Sequence, residues 1–123
     1  MRNSEKVLYL NPRKLNGPEQ MSIDLFLLEK SFIDKDFHMA VRFYTWDGDW
    51  LSIGKNQTEL PAKWIELLKN KELKIVRRPS GGNAVLHSKG LTYAIIWKYP
   101  PRNKKESYLK TTQWLKDGFK KAG

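Results

Sequence analysis

Residues 77–87 read Arg-Arg-Pro-Ser-Gly-Gly-Asn-Ala-Val-Leu-His, and this stretch is the most informative part of the 123-residue chain. Its two adjacent glycines allow positive φ and carry no Cβ, so backbone N–H groups can approach a ligand closely and form an anion-binding concavity. Arg78 can add a charge-assisted hydrogen bond to a phosphate or carboxylate, and Ser80 can supply a short hydroxyl donor. The alternative is a Gly-Gly loop that only joins two strands, because the spacing matches neither the phosphate-binding loop nor the dinucleotide fingerprint.

Extended segments flank this loop on both sides. Residues 73–78 and 84–86 are predicted strands, and the apolar residues 91–97 predict a strand that is buried on both faces. Because side chains alternate along a strand, Arg77 and Arg78 are expected to point to opposite faces of the sheet, with Arg78 towards a ligand.

Further strands are predicted upstream of the loop. Residues 7–10 read as a short strand, whereas β-branched and aromatic residues dominate 40–46. A turn at Asp47-Gly48-Asp49 and a second extended run at 50–53 follow, which together predict a β-hairpin.

Three segments place apolar residues at helical spacing. The first is capped by Asn16, accommodates Pro18 in its first turn and ends at 34–36, and its apolar face comprises Met21, Leu25, Leu28 and Phe32. The second follows Pro61 and ends near Asn70, with Leu60, Trp64 and Leu67 on one face. The third has Tyr108, Thr112, Leu115 and Phe119 on its core stripe. The order of elements predicts one α+β domain over residues 1–123, with a mixed or mostly antiparallel sheet and flanking helices.

Composition narrows the function classes. The chain has 23 Lys+Arg, 13 Asp+Glu, a formal net charge of +10 and no cysteine, so a disulfide framework, a thiolate metal site and a cysteine nucleophile are excluded within these residues. The basic excess is largely C-terminal, since residues 98–121 contain 8 basic and 2 acidic side chains. A positive surface attracts nucleic acid, anionic membranes and acidic proteins alike. No apolar run approaches the roughly 20 residues of a membrane span, which predicts a cytoplasmic protein without membrane contact.

The carboxylates do not predict a catalytic pair or a metal site. Asp24 and Glu29 lie five positions apart on the first helix and do not share a face. The acids of the 47–49 turn, together with Glu59, are ordinary for turns, and no metal is predicted there.

Three spaced motifs resemble the N-terminal half of the lipoate–protein ligase and octanoyltransferase family, within the biotin/lipoate protein ligase superfamily. They are residues 77–87, the segment Arg-Phe-Tyr-Thr-Trp-Asp-Gly-Asp-Trp-Leu-Ser-Ile-Gly-Lys-Asn-Gln at 42–57, and Leu-Thr-Tyr-Ala-Ile-Ile-Trp at 91–97. Family members show an arginine pair, a Ser/Thr-Gly-Gly loop, Ala-Val and a histidine in this order, after a Gly-x-x-Gln element. Met21, Asp24 and Gln57 also fall where the family pattern puts them.

The resemblance implies the biotin/lipoate ligase fold and a site for an octanoyl or lipoyl group, or its adenylate, beside the loop. The positions that match ligand-lining residues are Arg78, Ser80, Gly81, Gly82, Asn83, Val85 and His87, and Trp46, Val85 and Leu86 are the candidate walls of an apolar tunnel. Lipoate or octanoate and ATP with magnesium are implied as substrates, and no covalently bound cofactor is expected. Asn83 stands where ligases commonly have glycine and Ser88 where aspartate is common, so acyl binding is better supported than adenylate binding.

The resemblance also implies an incomplete catalyst. In the family the reactive lysine or cysteine lies beyond the segment that this chain matches, so the catalytic residues are unknown, the chain is expected to be truncated, and a second chain is a candidate for completing the domain. A lipoyl domain or an acidic acyl carrier protein is the implied partner.

Two other functions remain open from the sequence. One is a non-catalytic module that binds an acyl-carrier or lipoyl domain through its basic C-terminal helix. The other is a small nucleic-acid binder, in which lysines neutralise phosphates and aromatic side chains stack on bases; it is disfavoured because Tyr108 and Phe119 lie on the predicted core stripe.

Overall fold

The computed structural model describes residues 7–122, so the predicted domain range 1–123 extends beyond the described residues at both ends. The elements in chain order are β1 (Val7–Leu10), β2 (Lys14–Leu15), α1 (Gly17–Ile33), β3 (Met39–Trp46), β4 (Trp50–Ile53), α2 (Ala62–Lys69), β5 (Lys74–Arg77), β6 (Val85–His87), β7 (Thr92–Trp97) and α3 (Lys104–Ala122). The fold class is α+β, as predicted, and β2 is an addition to the predicted strands.

The described strands form two mixed sheets around β3 and β4. In the first sheet β3 pairs in parallel with β1 and β2 and antiparallel with β7. In the second sheet β4 pairs in parallel with β5 and antiparallel with β6. The predicted hairpin is therefore wrong, because β3 and β4 are consecutive in the chain but belong to different sheets. Gly48, at φ +91°, lets the turn lead the chain from one sheet into the other.

Helix α1 begins and ends where the sequence predicts. Asn16 and Glu19 form a capping box, Pro18 lies in the first turn and Asp34 is the C-cap. The predicted apolar face is wrong in part, because Leu25 and Phe32 are exposed. The buried face combines apolar residues with small and polar ones: Gly17, Gln20, Met21, Leu27 and Ser31.

Two hydrophobic clusters hold the elements together. One cluster lies between the two sheets and comprises Met21, Tyr44, Trp46 and Trp50. The other lies between α1 and the first sheet and comprises Leu27, Phe37, Ala40 and Ile96. Gly17 allows close contact between the first turn of α1 and the second sheet, because a Cβ there would overlap the ring of Trp50.

Two burial predictions in the C-terminal part are wrong. Strand β7 is not buried on both faces, since Ile96 is buried but Tyr93 is exposed. Tyr108 and Phe119 are exposed in α3, whose described aromatic contact is instead Trp114 against Trp97, with ring centroids 5.2 Å apart. Helix α2 follows Pro61 and is capped at Asn70, as predicted. Within the described residues, none of the helices is long and apolar enough to cross a membrane.

Candidate functional site

The second sheet directs its side chains to two different environments. Ser52 pairs with Val85 and lies on the face that meets the aromatic cluster between the sheets, where His87 reaches it. Leu86 pairs with Leu51 and therefore points to the other face. The expectation that Leu86 and Val85 line one tunnel is thus wrong, because adjacent residues of a strand face opposite sides.

The two arginines also go to different places. The Arg77 guanidinium donates to the carbonyl oxygens of Gly54, Lys55 and Gln57. Arg78 lies on the face of Ser52, whose carbonyl and Oγ accept from Nη1 at 2.9 and 2.8 Å. The predicted division between the two faces is therefore present.

Arg78 ties down the loop that contains Ser80, Gly81 and Gly82, hereafter the Ser-Gly-Gly loop. Its Nη2 donates to the carbonyl oxygens of Gly81 and Asn83 at 3.0 and 2.9 Å. Because a trans peptide holds its N–H opposite its C=O, the N–H groups of Gly82 and Ala84 point away from the guanidinium. Arg78 thus orients the backbone donors of the loop as well as adding positive charge.

Backbone packing fixes the other side of the loop. A Cβ on Gly54 would overlap the carbonyl oxygen of Gly82, so β4 ends with its backbone directly against the loop. Gly82 has φ +99°, the left-handed region that favours glycine. The Lys55 N–H donates to the Ser80 carbonyl at 2.8 Å. Gly81 has open space around its Cα and is exposed.

His87 links the loop to the neighbouring rings of Tyr44 and Trp46, hereafter the aromatic wall. Its Nε2 lies 2.7 Å from Ser52 Oγ, and its Nδ1 lies 3.5 Å from Thr92 Oγ1. The imidazole stacks on Trp46 with centroids 4.1 Å apart and planes 13° apart. The Trp46 Nε1 donates to Thr92 Oγ1 at 2.8 Å. Burial, followed by the charge of Arg78, lowers the pKa of His87 below its ordinary value, so the neutral imidazole is favoured.

The predicted site residues differ in exposure. Trp46 is buried, Arg78 and His87 are partly buried, and the remainder are exposed: Ser80, Gly81, Gly82, Asn83 and Val85. The group formed by Trp46, Ser52, Arg78 and His87, hereafter the site cluster, lies where the loop meets the wall. Two open clefts of the described residues lie elsewhere, one of about 490 Å³ beside Phe26 and Arg42 and one of about 390 Å³ beside Trp64 and Leu86.

A buried ionic network supports the wall from the side of α1. Arg42, only 3% exposed, pairs with Asp24 at 3.0 Å and also donates to Gln20. The Tyr44 hydroxyl donates to Asp24 at 3.1 Å, and the guanidinium of Arg42 lies over the Tyr44 ring. Burial raises the pKa of Asp24, while Arg42 acts in the opposite direction. This network fixes Tyr44, whose ring lies 5.7 Å from that of Trp46.

Sequence reasoning did not identify Ser52, Thr92 or Arg42. Ser52 is a fully buried polar residue in an otherwise apolar strand, and such a side chain needs a partner. The sequence shows only a serine within the apolar run 50–53, and its burial and partners come from the structure. Among residues 7–122, no three His, Asp or Glu side chains are grouped so that they could hold a metal ion.

Comparison with known protein families matches residues 16–123 to the lipoyl protein ligase A/B catalytic domain. The chain belongs to this family. It is 41% identical over 123 residues to octanoyltransferase LipM of Brevibacillus brevis and 33% identical over 123 residues to LipM of Bacillus cereus. Each alignment covers 97% of this chain but 44% of the relative, so the chain spans under half the length of these curated proteins.

A solved structure shows the same fold. The crystal structure of P. falciparum LipL1 in complex with lipoate aligns with a TM-score of 0.55 and 22% identity, over 73% of this chain and 30% of LipL1. The family and the fold that residues 42–57 and 77–97 indicate are therefore confirmed.

Proposed function

We propose that this member of the lipoyl protein ligase A/B family binds an octanoyl or lipoyl group and serves in its transfer to protein. The observation that carries the proposal is the junction in the site cluster, where Arg78 holds the Ser-Gly-Gly loop against the strand whose Ser52 contacts His87. An acyl ligand needs an apolar surface beside a group of anion-binding donors, and the exposed side chain of Val85 next to the backbone N–H groups of the loop supports the proposal. The LipM relatives favour the octanoyl group.

Each predicted site residue has a part in this proposal. The acyl chain lies against Val85 at the edge of the aromatic wall, with the buried Trp46 behind it, while the carbonyl or acyl-phosphate end accepts from backbone N–H groups of the loop. Ser80 and Asn83 are the polar side chains of the loop, Gly81 leaves its open side free, and the guanidinium of Arg78 adds positive charge. His87 stacks on Trp46 and holds the plane of the indole.

The remaining parts of the proposal concern substrates and partners. ATP with magnesium is a candidate co-substrate, and a lipoyl domain or an acidic acyl carrier protein is the candidate partner. The lysines of α3 are exposed, which suits an acidic partner. A second polypeptide that completes the domain and a cytoplasmic location also belong to the proposal.

The exposure of α3 also supports a second candidate, a module that binds a carrier protein without binding the acyl group. Its Tyr108 and Phe119 are exposed beside lysines, rather than packed in the core. Carrier binding by a chain that does not bind octanoate would favour this candidate. An oligonucleotide affinity that falls steeply with salt would favour the nucleic-acid binder instead.

Calorimetric titration with octanoate and with lipoate tests the main proposal. The Arg78→Ala variant should bind either acid more weakly by about 1.5–3 kcal/mol, the scale of hydrogen bonds to a charged group, because the loop loses its clamp and the site loses a charge.

Arg77→Ala is the matched control. It removes a guanidinium one residue away, on the opposite face of the strand, and should leave the affinity close to that of the wild type. Equal losses in both variants would contradict the assignment of Arg78 alone to the ligand, and a wild-type chain that binds neither acid would overturn the proposed function.

A further inference from the structure

The buried hydroxyl of Ser52 lies between two residues of the site cluster. Ser52 is 0% exposed, and its Oγ lies 2.8 Å from Nη1 of Arg78 and 2.7 Å from Nε2 of His87. No other side chain in the described part of the chain hydrogen-bonds to both residues. The Ser52 hydroxyl therefore joins Arg78, which holds the Ser-Gly-Gly loop, to the aromatic wall.

The direction of these hydrogen bonds follows from what each group can do. A guanidinium only donates, so Ser52 Oγ accepts from Arg78. The Ser52 proton is then free for His87, whose Nε2 lies at hydrogen-bond distance and accepts through its lone pair in the neutral imidazole. The imidazole proton is left on Nδ1, which faces Thr92 Oγ1.

We propose that Ser52 is a positioning residue of the acyl site, which holds His87 as its Nδ1–H tautomer and so fixes Arg78 and the plane of Trp46 together. The inference rests on the proposed function for its effect on ligand binding, but the tautomer is a property of the free chain. Without the hydroxyl, Nε2 loses its donor and the imidazole is free to take the Nε2–H form that free histidine prefers in water. The guanidinium loses one of its acceptors at the same time.

Nitrogen-15 NMR of the side chains tests the tautomer directly. The chain has two histidines, so a His38→Gln background leaves the signals of His87 alone. At a pH where the ring is neutral, Nδ1 should carry the proton in this background. Adding Ser52→Ala should shift the population towards Nε2–H. An Nε2–H ring in the single variant overturns the proposal, even if Ser52→Ala fails to fold.

Ligand binding supplies the second measurement. Ser52→Ala should weaken octanoate binding about tenfold, which corresponds to the loss of one buried hydrogen bond. Ser31→Ala is the matched control, because Ser31 is also buried but bonds to the Leu28 carbonyl in α1, away from the site. It should bind octanoate as the wild type does.

The tautomer and the octanoate affinity together distinguish a failure of the inference about Ser52 from a failure of the proposed function. If the wild type binds no octanoate while His87 shows the Nδ1–H tautomer and Ser52→Ala shifts it, the proposed function fails and the structural role of Ser52 holds. If octanoate binds equally well to the wild type and to a folded Ser52→Ala variant, Ser52 does not position the site and the inference is wrong.

Discussion

At the scale of single residues, the contacts of His87 indicate its role better than its place in the sequence motif does. Its place in the motif matches a ligand-lining position of the family, and the contacts to Ser52, Trp46 and Thr92 show a ring held by its neighbours on several sides. A ring held in this way shapes the site without having to touch the reacting atoms.

The pH dependence of stability follows from the environment of His87. Its folded-state pKa is lowered, so the unfolded chain takes up a proton more readily than the folded chain. The contribution of His87 to the free energy of unfolding should therefore be fully present above the unfolded pKa of about 6.5 and should decline as the pH is lowered through that value. Urea denaturation at a series of pH values measures this slope.

His87→Gln supplies the comparison for that slope. Glutamine does not titrate, so the part of the pH dependence that comes from residue 87 should disappear in the variant. An identical slope in the variant and the wild type would show that the folded environment does not disfavour the charged ring.

At the scale of elements, the contact between the end of β4 and the Ser-Gly-Gly loop depends on the absence of a side chain at Gly54. Gly54→Ala should lower the free energy of unfolding by about 1–3 kcal/mol, because the added methyl group overlaps the Gly82 carbonyl and forces the backbones apart. Urea denaturation measures the loss.

Gly81→Ala is the control in the same loop. Its Cβ would meet open space and its φ is not in the left-handed region, so the stability should stay within about 0.5 kcal/mol of the wild type. A Gly54→Ala variant as stable as Gly81→Ala would contradict the close packing. Gly82, by contrast, has positive φ, so a valine there would strain the loop as well as block a ligand.

Element boundaries were predictable because local chemistry fixes them. The capping box at Asn16, the proline before α2 and the alternation that separates Arg77 from Arg78 are all readable from neighbouring residues. The pairing of the strands was not predictable from the sequence, because a turn such as 47–49 suits both a hairpin and a change of sheet. Only the contacts of Trp46 and Trp50 between the sheets show which of the two is present.

The exposed residues of α1 and α3 show a second limit of structure prediction from the sequence. Phe32 and Phe119 were assigned to apolar faces by their spacing, yet both are exposed. Helical periodicity gives a stripe but not its orientation, and in α1 the helix instead turns Gly17, Gln20 and Ser31 towards the sheets. The candidate site was located by its motif, whereas its supporting residue Ser52 required the three-dimensional contacts.

At the scale of the whole molecule, the length of the relatives sets an expectation for activity. The chain covers 44% of the LipM relatives. Binding an acyl group requires a surface and anion-binding donors, whereas transfer also requires a positioned nucleophile or a group that stabilises developing charge. Residues 1–123 alone should therefore bind octanoate without transferring it to an apo lipoyl domain.

Intact-mass spectrometry of the lipoyl domain tests this expectation, with an octanoyl donor supplied in the presence and absence of ATP. A full-length LipM relative run in parallel shows that donor and acceptor are competent. Modification of the lipoyl domain by residues 1–123 at an ordinary enzymatic rate, on the order of 1 per second, would show that they carry the whole reaction.

The Trp46–Thr92 hydrogen bond joins the two points where the chain leaves the first sheet and returns to it. The chain leaves the first sheet after Trp46 and returns at Thr92 to β7, the strand paired with β3. The whole second sheet and the Ser-Gly-Gly loop lie between these two points. Residues 47–91 are therefore an insertion, and the Trp46–Thr92 hydrogen bond fastens its two ends together at a neck, while Trp50 packs against α1. Loop lengths inside such an insertion can drift at little entropic cost as long as the neck stays closed. The aromatic wall stands at that neck, so the hydrogen bond that closes the neck also holds Trp46 beside His87, on the strand that follows the Ser-Gly-Gly loop.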